Sequence, residues 1–419
     1  MKLTVLIFSL FFLITGCAVQ KKTKSKSKIK NVAFLYNPSI SKINIKHKIF
    51  HTSNEKSVLT VNLKTSDLLI KSEGSSKQAK ILLKYRILIN NEKLDFFDSL
   101  STIYNINILK NRKKVSIEIP LNLSPNNYFI MLTIKDLYNN TVSETYFTTD
   151  KTNKFSADNF YAKSKKTNTL KFDNIVKSTD SLQLFYNREK ADSFFVYYFK
   201  NTFKPSPPPF TLSLVKARDL IPDSIFTIAN NDSTYLTFAK QGFYEVLTDT
   251  SQNQGITFFN FGNNFPLIKT PTQMLNPLAY LTSQTEFKKY KQMPNKKLAV
   301  DEFWLKASNN ANSAKGLVRV YYNRVKFANI YFTSYKEGWK TDRGMIYIIY
   351  GAPSIINKSN KVERWIYSNQ NSLMQFTFVN TPNTYTDNNF EVKHNEAYSI
   401  FWYKAIDTWR NGRIFSITQ

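Results

Sequence analysis

Apolar and polar side chains alternate along most of the stretch from Leu59 to Tyr146, and this period of two constrains the chain more tightly than any other feature. A strand points successive side chains to opposite faces, so alternation marks one face for a core and the other for water. Leu59, Val61 and Leu63 alternate with Thr60, Asn62 and Lys64. Ile81, Leu83, Tyr85, Ile87 and Ile89 form a longer run, followed by Val115, Ile117 and Ile119. Tyr128, Ile130, Leu132 and Ile134 form another, and a last strand runs through Val142 and Tyr146. Turn signals at Asn90-Asn91, Asn111-Arg112, Pro125-Asn126-Asn127 and Tyr138-Asn139-Asn140-Thr141 punctuate them. The pattern predicts a β-sandwich of about seven strands over residues 31–150.

The polar stretch from Asp150 to Asn159 reads as a linker. A second β-rich domain is expected over residues 151–270. Its strand candidates are Leu182–Tyr186, Phe194–Phe199, Leu212–Val215, Ile225–Ile228, Tyr235–Phe238, Tyr244–Leu247 and Ile256–Phe259. Pro205-Ser206-Pro207-Pro208-Pro209 interrupts it. Such a run can be a polyproline ligand, but inside a β-domain it reads first as a stiff inter-strand loop.

From Thr270 the periodicity changes. Asn276-Pro277 is expected to start a helix carrying Leu278, Leu281 and Phe287, and Lys297 to Ala307 continues in helical style. Leu317, Tyr321, Val325, Ala328, Phe332 and Tyr335 recur at helical spacing, which predicts a long helix from about Ser313 to Tyr335 with a core-facing stripe. Met345–Tyr350 is apolar on both faces and reads as a central strand. Further strands are expected at Val362–Tyr367, Leu373–Val379 and Phe390–Lys393, then a helix from Ile400 to Trp409. Residues 271–419 therefore read as an α+β domain, and the whole as two mainly-β, sandwich-like domains followed by it.

The only cysteine, Cys17, ends a short apolar run from Leu3 to Ile14 that follows Lys2. Twelve residues, ten of them apolar, are too few to span a bilayer as a helix but suit a signal peptide. Leu13-Ile14-Thr15-Gly16-Cys17 resembles a bacterial lipobox. The resemblance implies removal of residues 1–16, lipid on Cys17, and a tether over residues 17–30. Acylation leaves no thiol, so disulfides, thiolate metal sites and cysteine nucleophiles are not expected. The three histidines are His47, His51 and His394; strand-favouring neighbours surround the first two, and no metal site or cofactor is expected. The net charge is +28, but lysine supplies 48 of the 58 basic residues, which is not the arginine-rich chemistry of phosphate readers. Nucleic acid is not an expected partner. No acidic residue precedes Glu55, and Lys21, Lys22, Lys24, Lys26, Lys28 and Lys30 make a self-repelling spacer that anionic headgroups attract.

One segment carries a nameable pattern: Gly338-Trp339-Lys340-Thr341-Asp342-Arg343-Gly344. Gly338 suits a left-handed helix end, Thr341 and Asp342 can tighten a turn, and Gly344 permits a close backbone approach. Trp339 offers an apolar body with one donor, and Arg343 a fork for a carboxylate such as Asp342 or Glu363. The segment resembles the signature of the GWxTD-domain proteins of Gram-negative envelopes. Tyr322-Asn323-Arg324-Val325-Lys326-Phe327-Ala328-Asn329 upstream, and Tyr347-Ile348-Ile349-Tyr350-Gly351-Ala352-Pro353 and Glu363-Arg364-Trp365-Ile366-Tyr367 downstream, extend the resemblance. It implies an envelope setting and brings no reaction with it. Gly338, Trp339, Thr341, Asp342, Arg343 and Gly344 can be a binding site on a loop or a structural joint, and the joint is the favoured reading.

The expected function is that of a lipid-anchored, non-enzymatic module binding other envelope proteins. The expected address is the periplasmic face of the outer membrane, because Ala18 and Gln20-Lys21-Lys22 differ from the retention and surface-export patterns that lipoproteins of well-studied bacteria carry. Two alternatives stand beside it. One is a carboxylate-dependent envelope hydrolase drawing on Asp301, Glu302, Glu337, Asp342 and Glu363; the other is a binder of polyanions such as lipopolysaccharide.

Overall fold

In the computed structural model the alternating segments pair as antiparallel strands. The structure describes residues 31–40, 43–73, 76–90, 95–109, 113–186, 188, 191–212, 220–231, 233–308, 310–359, 361–369 and 372–415. The expected leader, Cys17, the lysine-rich tether, the Asn111-Arg112 turn and most of the strand expected at Leu212–Val215 lie outside these residues.

The first unit contains β1 (Lys46–His51), β2 (Lys56–Lys64), β3 (Lys71–Glu73) and β4 (Ser76–Ile89). They are followed by β5 (Phe96–Asn107), β6 (Lys114–Asn122), β7 (Asn127–Asp136) and β8 (Val142–Asp150). One sheet has the order β1-β2-β6; the other runs β3-β4-β7-β8, with β5 also paired to β4. The alternation explains the core directly. Leu59, Val61 and Leu63 from one sheet meet Ile81, Leu83, Ile87, Ile130, Leu132 and Ile134 from the other. Strand β5 has no counterpart in the sequence reading, because pairing on β4 buries only Ile106 of its side chains.

The expected linker is a packed joint. Lys151 is buried and donates to the Lys56 carbonyl (3.0 Å) and to Ser57 Oγ (2.9 Å). Ser57 Oγ meets His51 Nδ1 at 2.9 Å, His51 Nε2 meets Thr149 Oγ1 at 3.0 Å, and Thr149 donates to Asp158 at 2.7 Å. The ammonium can only donate and Thr149 spends its proton on Asp158, so all the bonds run one way and His51 carries its proton on Nε2. Burial, aided by Lys151, holds the His51 pKa down to about 3, and burial raises Asp158 to about 6. His47 stacks on Phe147 at 4.0 Å and is likewise kept neutral by burial. Neither ring belongs to a potential metal cluster among the described residues.

The second unit contains β9 (Phe160–Ser164), β10 (Ser181–Tyr186), β11 (Ser193–Lys200), β12 (Ser224–Ala229), β13 (Leu236–Thr237), β14 (Gly242–Leu247) and β15 (Ile256–Asn260). Its sheets have the orders β13-β10-β9 and β12-β11-β14-β15. Strands β11, β14 and β15 also supply Phe199, Phe243 and Phe259, which with Phe261 form a separate aromatic cluster against Tyr335 and Tyr385 of the third unit.

The third unit is built from α1 (Pro271–Leu275), α2 (Gln284–Gln292), α3 (Lys296–Ala307), α4 (Ala311–Tyr331) and α5 (Asp342–Tyr350). The sheet β16 (Ile355–Lys358), β17 (Val362–Asn369), β18 (Ser372–Asn380) and β19 (Phe390–Val392) follows, then α6 (Tyr398–Arg410). The first helix starts at Pro271 rather than Asn276-Pro277, because Thr270 and Gln273 form a reciprocal capping box. The expected central strand Met345–Tyr350 is instead helical. A six-residue apolar run reads alike for a buried strand and a helix buried all round, and here Thr341 caps a helix.

Residues 31–40 also depart from the expected division of the chain. They precede the first unit in sequence but pack on the third. Asn31 bridges Asn357 on β16, Val32 N–H donates to the Ile356 carbonyl (2.9 Å), and Val32 and Tyr36 join the third unit's core. The Tyr36 ring lies among Tyr331, Phe332 and Trp365. This strap closes the β16 edge of the sheet.

All five tryptophans lie between residues 304 and 409, so tryptophan fluorescence reports unfolding of the third unit alone. Tyr36→Ala should destabilise that unit by about 3–5 kcal/mol in urea titrations followed this way, the range for emptying a buried aromatic site. Unchanged tryptophan unfolding would mean that the strap is not part of that core.

Candidate functional site

The signature sits where α4 ends and α5 begins, and its two glycines are explained by backbone crowding rather than by left-handed geometry. A Cβ on Gly338 would lie 2.0 Å from the Ala328 carbonyl oxygen, and one on Gly344 would lie 1.8 Å from the Gly338 carbonyl oxygen. The turn Gly338–Lys340 is thus pressed onto α4, and the first turn of α5 onto that turn. Gly351, just after α5, is the glycine here that takes positive φ (86°).

Each remaining signature residue fastens this arrangement. Thr341 Oγ1 donates to the Gly338 carbonyl (2.8 Å) and accepts from Gly344 N–H (3.1 Å), which starts α5. Asp342 stands in the first helical turn, where a negative charge suits the helix dipole, and accepts from Val392 N–H at 2.7 Å, fixing β19 to the helix. Trp339 N–H donates to Asn329 Oδ1 (3.0 Å), and the Trp339 carbonyl accepts from Tyr280 (2.8 Å). All four side chains from Trp339 and Thr341 to Arg343 are buried, so the exposed loop that a binding site needs is not what these residues form.

Arg343 is 1% exposed, and its guanidinium lies between the rings of Phe390 (4.3 Å) and Phe332 (5.3 Å). It pairs with Glu363, not Asp342, at 3.1 Å. Glu363 is fully buried and saturated. Its Oε1 also accepts from Tyr36 (3.0 Å) and lies 2.6 Å from Lys358 Nζ, while Oε2 accepts from the Trp365 indole (3.1 Å). Burial alone would raise the Glu363 pKa, but Arg343 and Lys358 outweigh it and pull the value down to about 2. Arg343 Nη2 donates to Asn388, through both its carbonyl (2.9 Å) and its side-chain oxygen. Asn388 in turn donates to the Tyr331 and Thr333 carbonyls (3.2 and 2.9 Å).

Two segments of the second unit's neighbourhood complete the site. The proline run leads from β11 towards β12, yet it docks on the signature: Ser206 donates twice to the Lys340 carbonyl, at 2.9 Å each from N–H and Oγ. Pro209 accepts from Asn395 N–H (3.1 Å). The loop 381–389 carries Asn388 to Arg343 at one end and sets Tyr385 against Phe243 (4.9 Å) and Phe199 (5.7 Å) at the other. Sequence reasoning offered Asp342 or Glu363 as the partner of Arg343, of which the structure has Glu363, and it missed Tyr36, Lys358, Asn388 and Ser206. Tyr36, Asn388 and Ser206 act across separations of 327, 45 and 134 residues, so no local signal marks them, whereas Lys358 meets Glu363 directly across the β16–β17 hairpin.

The flanking motifs have structural uses as well. Arg324 donates to the Ile348 and Ile349 carbonyls (3.2 and 3.0 Å) at the C-terminal end of α5 and to the Phe415 carbonyl (3.1 Å), and burial lowers its pKa to about 10. It borders a hollow of about 570 Å³ between the strap and the Gly351–Pro353 turn. The carboxylates that the sequence offered for catalysis each have a bonding partner. Asp301 pairs with Lys297 (2.7 Å), Glu302 with Lys306 (2.6 Å), Glu337 with Lys340 (2.8 Å), and Asp342 and Glu363 bond as described.

Residues 242–411 match the family model of the GWxTD domain. Those residues are therefore a GWxTD domain, which lies towards the C-terminal end of a β-rich, multidomain chain. The match begins at Gly242 rather than near residue 271, so it takes in β14 and β15 of the second unit. No curated protein matches the chain. Among solved structures it is similar to Bacteroides uniformis beta-glucuronidase 2 covalently bound to cyclophellitol-6-carboxylate aziridine, at 14% identity and a TM-score of 0.17. A calcium binding mutant of beta-glucuronidase 2 gives the same values, and Bacteroides uniformis beta-glucuronidase gives 13% identity and 0.17. Each match covers 25% of this chain and 13% of the other, too little to carry fold or activity across.

Glu363→Gln should change the pH profile of the third unit. A carboxylate with a depressed folded pKa contributes stability that is present above its unfolded value of 4.5 and lost as pH falls towards about 2. The loss is on the order of 3 kcal/mol for wild type and should be absent in the variant, read by tryptophan-monitored urea unfolding across that window. Gly344→Ala should cost more than about 3 kcal/mol, because a backbone oxygen cannot move aside, whereas Thr341→Ala should cost about 1 kcal/mol.

Proposed function

We propose that this chain is a lipid-anchored, non-enzymatic envelope protein that acts as an interaction scaffold for other envelope components. Its two N-terminal β-units serve as sandwich-like modules, and its GWxTD domain is the joint that holds them. The observation carrying this reading is how the signature is spent. Trp339, Asp342 and Arg343 bond inward, to α4, β17, β19 and the 381–389 loop, and Thr341 closes on the Gly338 carbonyl of the same turn. The proline run from the second unit and the strap from before the first unit close on the same place. Residues consumed in this way orient large surfaces instead of presenting a reacting group, which supports a scaffold.

The lipid anchor rests on the Leu13–Cys17 pattern, and no helix among the described residues is long and apolar enough to cross a membrane. Cys17 thereby gives the body its attachment, with the periplasmic face of the outer membrane as its address. Partner capture from intact envelopes after mild crosslinking tests the scaffold; a reproducible set of envelope proteins is expected, and its absence counts against the reading.

Cys17→Ser should move the protein from the membrane pellet to the soluble fraction without altering its tryptophan-monitored unfolding. Retention in the pellet after a high-salt wash would overturn the lipid anchor.

A further inference from the structure

The strap decides which part of the body a tether at the N-terminus would hold. Fourteen steps of chain separate Cys17 from Asn31, which fully extended span at most about 50 Å. The described structure begins at Asn31, and Asn31 is paired with Asn357 of the third unit, not with the first β-unit that follows it in sequence. The register continues the pairing across the sheet. Asn357 stands opposite Arg364, Arg364 opposite Thr377, and Lys393 N–H donates to the Thr377 carbonyl. Neighbours in strand β17 point the other way: Glu363 and Trp365 are buried, so Arg364 faces outward.

This outward face carries cations. Arg364, Gln375 and Lys393 are exposed there, beside the apolar Ile355 and Leu373. Glu391, opposite Val379 in the adjoining row, is the acid on the same face. Long cationic side chains flanking apolar ones are suited to anionic headgroups, where the tether's own lysines would also gather.

We propose that the outward face of the β16–β19 sheet, around the row Asn31, Asn357, Arg364 and Thr377, is the surface this chain lays against anionic lipid headgroups. The inference rests on the lipid-anchor reading and adds an orientation to it: the GWxTD domain lies next to the membrane, and the β-units project from it.

With Cys17 acylated, any introduced cysteine is the only thiol in the chain, so single dyes can be placed at will. Lipidated full-length protein carrying Gln375→Cys, Glu118→Cys or Thr227→Cys would be labelled and bound to vesicles of phosphatidylethanolamine with phosphatidylglycerol. Energy transfer to a headgroup acceptor should be at least about threefold greater from position 375 than from 118 or 227. Adding Arg364→Glu and Lys393→Glu should erase that excess while the bound fraction stays constant. Equal or reversed transfer, or an excess that survives the two charge reversals, overturns the orientation alone. Failure of the acylated protein to bind vesicles overturns the anchor and the orientation together.

Discussion

The carboxylate of Glu363 is the group on which the third unit's architecture converges. An ionised carboxylate in a dry interior is costly unless its oxygens are fully engaged, and here four donors from three different parts of the chain engage them. Arg343 comes from the signature, Lys358 and Trp365 from the sheet, and Tyr36 from the strap. Removing one partner would leave a buried charge short of compensation, so the elements that carry these donors are held together by the penalty of separating them. The depressed pKa of Glu363 expresses the same balance: the two cations more than offset its desolvation.

Around that charge, the signature reads as a packing sequence. Its glycines allow α4, the Gly338–Lys340 turn and α5 to stack backbone on backbone, at distances that no Cβ would fit. Thr341 then starts α5 and Asp342 ties it to β19. The turn's last carbonyl, at Lys340, is left pointing at the proline run, which occupies it twice. The family pattern thus records a compact way to bring a helix end, a helix start and a foreign segment to one point.

The sequence was most legible where one strand explains itself. Leu59, Val61 and Leu63 announce their core face because their neighbours are polar, and the structure buries those apolar residues against Ile81 and Leu83. Legibility fell where burial is complete on every side, as at Met345–Tyr350, since period carries no information when all faces are apolar. It fell again where the backbone alone does the work, as in β5. It vanished for Tyr36, whose partner Glu363 lies 327 residues away. Asp150–Asn159 misled for a different reason: its polar residues suggested a solvated linker, whereas Lys151 and Asn159 are polar because they bond inside the joint.

That joint carries a mechanical consequence. From Lys151 through Ser57, His51 and Thr149 to Asp158, every proton is committed by the group before it. The five side chains therefore form a series with one sense: a break at any point strands a donor and an acceptor there inside the joint. Ser57 and His51 belong to the first β-unit, and Asp158 to the turn that leads into the second. Tilting one unit against the other has to break a bond of this series and leave its donor and acceptor unpaired in a dry interior, so the angle between the β-units has the character of a detent rather than of a spring.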